Sequence, residues 1–135
     1  LLLTALGIFI TACQELPPEA YLIDKYKIQG QVYIDDKIKN QCKGTLFIIV
    51  RKGSTPQPLA VKKLSNPDFP YDFTITPADV LIPQRANEFD GQLILMARVS
   101  KTGSPMPKKG DCESDAMVIN AGDKNIKLLI KNIVK

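Results

Sequence analysis

Three cysteines, three methionines and no histidine set the chemistry open to this 135-residue chain. Without imidazole, no Ser-His or Cys-His nucleophilic pair can be assembled. The nitrogen ligands of most zinc and blue-copper centres are missing too. The soft ligands are Cys13, Cys42, Cys112, Met96, Met106 and Met117, a set that copper(I) accepts. Met96 and Met117, however, fall inside strand patterns, where methionine usually fills core space. Asp35, Asp36, Asp68, Asp72, Asp79, Asp111, Glu113 and Asp115 fall in turns or at strand ends. They are expected to be solvated rather than paired for acid–base work. The serines lack a base, and no lysine sits in the apolar setting that an amine nucleophile needs. The expectation is a chain that is not an enzyme and holds no cofactor or metal.

Cys13 is set apart by what precedes it. Leu1 to Ala12 carries no charge, and only Thr4 and Thr11 are polar. As a helix it would measure about 18 Å against a hydrocarbon core of ~30 Å, too short to span it. It suits the apolar stretch of an export signal. Ile10-Thr11-Ala12-Cys13 resembles a bacterial lipobox. That resemblance implies cleavage before Cys13, acylation of its thiol and of the new amino terminus, and a membrane anchor of several chains. Gln14 stands where an inner-membrane lipoprotein would carry Asp. The expected location is the outer membrane, facing the periplasm. Pro17-Pro18 favours an extended tether. The chain thus divides into a signal segment (1–12), a lipidated cysteine with tether (13–26) and a folded domain (27–135).

Export places Cys42 and Cys112 in an oxidising compartment, where an even pair suggests a disulfide. The bridge would close a loop of about 71 residues and contribute roughly 4 kcal/mol in the chain-entropy view. Two free thiols remain the alternative. Export also removes nucleic acid as a partner, despite the net charge of +4.

The elements that position these residues are strands. Val32 and Ile34 alternate with polar neighbours, and Leu46-Phe47-Ile48-Ile49-Val50 is a continuous apolar run suited to a central strand. Further strands are expected at 59–64, 71–75, 93–99, 116–120 and 126–131. No stretch carries a sustained helical stripe. Thr76-Pro77-Ala78-Asp79 suits one capped helical turn. The fold expected is all-β: an antiparallel β-sandwich of about seven strands, immunoglobulin- or cupredoxin-like, with a closed barrel as the alternative.

Two loops echo each other. Gly53-Ser54-Thr55-Pro56-Gln57-Pro58 and Gly103-Ser104-Pro105-Met106-Pro107 each follow a strand ending near an Arg. Rigid loops at one end of a sandwich can form a binding edge. The candidate partner-binding residues are Arg51, Lys52, Pro56, Pro58, Arg98, Lys101, Pro105, Met106 and Pro107.

With these residues in view, the chain resembles the C-terminal periplasmic domain of the cytochrome c biogenesis protein CycH (CcmI) family. The resemblance runs from about Gly44 to Val134. It rests on Pro56-Gln57-Pro58-Leu59-Ala60-Val61, on Asp68-Phe69-Pro70-Tyr71-Asp72-Phe73 and on Ala97-Arg98-Val99-Ser100-Lys101-Thr102-Gly103. Cys42 and Cys112 lie outside that pattern. The resemblance implies a non-catalytic module that binds polypeptide and assists c-type cytochrome maturation. Its implied partner is apocytochrome c or another envelope protein, and it implies no cofactor. The alternative is a structural envelope lipoprotein with no cytochrome link.

Overall fold

A computed structural model describes residues 24–135. The expected signal segment, the lipidation site Cys13 and the tether up to residue 23 lie outside the described residues. No helix among the described residues is long and apolar enough to cross a membrane.

The described residues are all-β, with eight strands: β1 (Ile28–Ile34), β2 (Thr45–Arg51), β3 (Ala60–Ser65), β4 (Tyr71–Ile75), β5 (Gln92–Ser100), β6 (Cys112–Ser114), β7 (Met117–Asn120) and β8 (Ile126–Ile133). They follow one hydrogen-bonded path, β3-β2-β5-β6-β8-β1-β4, with β7 paired to β5 beside β6. The end strands β3 and β4 come together without pairing, so the sheet curls nearly into a barrel.

Two features correct the expected seven-stranded antiparallel sandwich. β6 is an additional strand, and it links the β3-β2-β5 half to the β8-β1-β4 half. The β1–β8 pair is parallel, from Gly30↔Ile126 to Ile34↔Ile130, so the sheet is mixed. Gly30 permits this pairing, because a Cβ there would run into the carbonyl oxygen of Ile126.

Alternation along the strands builds the core. Leu46, Ile48 and Val50 of β2 lie opposite Val99, Ala97 and Leu95 of β5. Ile28 and Val32, Phe73 and Ile75, and Leu128 and Ile130 complete it from β1, β4 and β8. Each of these valine, leucine, isoleucine and phenylalanine side chains, fully buried, contributes about 1.5–3 kcal/mol. β2 is buried from Leu46 to Val50 on both faces, as its unbroken apolar run requires.

The turn at Pro77–Asp79 forms as its sequence dictates. The Thr76 hydroxyl accepts from Ala78 N at 3.1 Å, and the Asp79 carboxylate accepts from Thr76 N at 2.9 Å. Asp79 is therefore a cap, and it also receives Lys62 Nζ at 3.3 Å.

Candidate functional site

The face of the β3-β2-β5 half that points away from the main core carries the candidate residues. Register places Phe47 opposite Arg98, Ile49 opposite Met96 and Arg51 opposite Ile94. On the far side of β2, Lys63 and Val61 lie opposite Phe47 and Ile49. Phe47 and Ile49 are each only 3% exposed although they turn away from the main core. Lys63 Nζ sits 5.9 Å from the centroid of the Phe47 ring.

The two proline loops leave from opposite ends of this face. β2 and β5 are antiparallel neighbours, with Thr45 opposite Ser100 and Arg51 opposite Ile94. Their C-terminal ends therefore point in opposite directions, which corrects the expectation that both loops gather at one end. Each loop is instead held to the shared face by an arginine. Arg51 Nε donates to Pro56 O at 3.1 Å, and its guanidinium reaches Met96 Sδ at 3.3 Å. Arg98 donates to Pro105 O at 3.1 Å and to Glu113 Oε2 at 3.3 Å.

The surroundings of the two arginines differ. Arg98 is 3% exposed and committed to Glu113 and to its loop, so it acts as an anchor rather than a contact surface. Arg51 is half-buried. Burial pulls its guanidinium below its ordinary value, the positive charge of Arg98 acts the same way, and Glu113 opposes both. Lys52 donates to Asp90 O, and Thr55 Oγ1 donates to Lys52 O at 2.5 Å. Pro56, Pro105, Pro107 and Lys101 are exposed, and Pro58 is half-buried. Met106 is 67% exposed at the crest of its loop.

Asp111 is 1% exposed, which corrects the expectation of a solvated turn residue. Its carboxylate accepts from Lys101 N at 3.2 Å and from Lys108 N at 2.9 Å, tying the two ends of the loop together. Cys112 follows directly and is bonded to Cys42, with the Cα atoms 5.8 Å apart. Both cysteines are buried, and Cys112 opens β6 rather than lying in a polar loop. Met96 lies on the outer face and Met117 is 36% exposed, so neither is the core filler expected. No group of three or more metal-ligating side chains occurs among the described residues.

The arrangement offers an apolar and cationic face with two loop crests presented from opposite ends. A protein of Aquifex aeolicus (strain VF5) that carries no functional name is 38% identical over 140 residues, covering 95% of this chain and 91% of its own length. The cytochrome c-type biogenesis protein CycH of Pseudomonas aeruginosa is 38% identical over 77 residues, which is 55% of this chain and 19% of that protein. No solved structure matches. The family described as the cytochrome c-type biogenesis protein H Ig-like domain matches residues 28–131. This match begins at β1, ahead of Gly44, and takes in all of the first seven strands and most of β8. With most of its length matched, the chain belongs to the family of CycH Ig-like domains.

Proposed function

We propose that this protein is a non-catalytic binding module that assists c-type cytochrome maturation by holding a polypeptide, apocytochrome c or another envelope protein. The observation that carries this reading is the family match over residues 28–131. The Pseudomonas relative, whose name places it in c-type cytochrome biogenesis, supports it. The contact surface comprises the loop crests Pro56, Pro58, Pro105, Met106 and Pro107, with the cations Arg51, Lys52 and Lys101 beside them. Arg98 positions the second crest. The module is anchored through acylated Cys13 and faces the periplasm from the outer membrane. The lipobox-like Ile10-Thr11-Ala12-Cys13 and Gln14 support that placement.

Photo-crosslinking residues placed at Gln57 and Met106, in cells making c-type cytochromes, test the reading. The expected result is an adduct with a c-type apocytochrome or a maturation component, together with lowered cytochrome c content when the chain is deleted. Normal cytochrome content after deletion, with an envelope defect, would replace this reading with a structural lipoprotein.

A further inference from the structure

β7 and β8 follow each other in the chain, joined by residues 121–125, an arrangement that ordinarily yields a hairpin. Here they do not pair. Among the described residues β7 pairs only with β5, and Ile126–Leu129 of β8 only with β1. The split begins at Ser114. Its Oγ accepts from Ala97 N at 2.9 Å and donates to Asp115 O at 3.0 Å. The hydroxyl thus takes the β5 amide that a continued β6 would have engaged. A register shift at Glu113/Ser114 accompanies the step.

Hydrogen bonds nearby show which backbone groups face the seam. Asn120 N donates to Asp123 Oδ2 at 2.9 Å, and Asn120 O accepts from Asp123 N at 3.0 Å, so residue 120 turns its backbone away from β5. Two-residue alternation turns the N–H and C=O of Val118 the same way. On β8, Ile130 O accepts from Asp35 N at 2.9 Å and so faces β1. Lys127 therefore directs its N–H and C=O away from β1, into the seam.

A cleft of about 450 Å³ lies between the two edges, lined by Met117, Val118, Lys127, Leu129 and Lys131 among others. Val118 is 62% exposed, Leu129 45% and Met117 36%. Open edges are normally protected by charge, proline or a covering segment. The sequence of β7, Met-Val-Ile-Asn, carries neither charge nor proline. Lys131 is neutralised by Asp115 at 3.0 Å, whereas Lys127 has no carboxylate partner among the described residues.

We propose that this seam receives an extended segment of another polypeptide by strand addition. Its backbone pairs with Val118 on one side and Lys127 on the other, its apolar side chains cover Val118 and Leu129, and a carboxylate meets Lys127. The site goes beyond the proline-loop surface, because it binds through backbone edges. Loss of the Gln57 and Met106 crosslinks would leave it standing.

Amide hydrogen exchange on the full chain tests it, with a short synthetic peptide of alternating valine and threonine around one glutamate as probe. The expected result is slowed exchange at Val118 and Lys127, absent when alternate peptide amides are N-methylated. Val118→Pro removes the seam-facing donor and is expected to weaken binding by at least about tenfold, with Leu93 and Leu95 amides still protected. Lys127→Glu keeps the edge intact and is expected to switch preference to a lysine-bearing peptide. Unchanged exchange at both amides, or equal binding by both variants, would overturn the proposal. Slowing that grows with protein concentration in the absence of peptide would also overturn it, by assigning the seam to a second copy of this chain.

Discussion

The two proline loops share a pattern in the sequence and differ in how firmly they are held. Residues 53–58 hang from a half-buried arginine at the margin of the face, with Thr55 and Lys52 supplying local bonds. Residues 103–107 are fixed three times over. Buried Arg98 holds Pro105, buried Asp111 gathers Lys101 N and Lys108 N, and Cys112 ties the following strand to Cys42. The same Gly-Ser…Pro-x-Pro motif therefore yields an adaptable crest at one end and a stiff one at the other. A partner meeting both would find one surface already formed and one that can adjust, and the ordering cost would fall on the first loop.

Removing the bridge should disturb this contrast most. Replacing Cys42 and Cys112 together by alanine is expected to cost roughly 4 kcal/mol in denaturant unfolding. Amide exchange should quicken across residues 103–112 and stay unchanged across 53–58. Equal quickening in both loops would show that the bridge stabilises the whole domain without stiffening either crest in particular. Arg98→Met comes next, at roughly 2 kcal/mol, since it leaves the half-buried Glu113 carboxylate without its partner and releases the loop at Pro105. Arg51→Met should cost under about 1 kcal/mol, because water can replace what the side chain gives up. Parallel melts of these two variants measure the asymmetry directly. Comparable losses would mean that the loops are held alike.

Strand existence was legible wherever alternation or an apolar run was long enough, as in β2 and β5. It failed at β6, whose three residues Cys-Glu-Ser have neither length nor apolar pattern. That strand forms because β5 and β8 lie on either side of it. The parallel β1–β8 pair was hidden for a related reason, since pairing between distant segments leaves no local mark. The capped turn at Thr76 needs only neighbours in sequence, and it was readable. Asp111 was misread because its burial depends on amides three and ten residues away that converge only in the folded loop. The arginines Arg51 and Arg98 were identified, but their roles were not. Whether an arginine faces a partner or clasps its own loop is decided by strand register and burial.

Acid offers the smallest test of the asymmetry, and its sign is fixed by the carboxylates. Residues 53–58 contain none, whereas the segment after β5 carries Asp111, Glu113 and Asp115. Hydrogen bonds from Lys131 and then Asn132 hold the Asp115 carboxyl below its ordinary value. Its pKa is thus lower folded than unfolded, and the unfolded chain takes up the proton more readily. The stability that follows is present above the ordinary carboxylate range and is lost as pH falls through it toward the folded value. Asp115 is exposed, so the effect is slight and weakens further with salt. On acidification, amides at the exit of β6 should exchange faster while those of residues 53–58 hold their rates, and Asp115→Asn should reduce the response. If residues 53–58 loosened together with the exit of β6 in the native protein, acid would be acting on the fold as a whole rather than through Asp115.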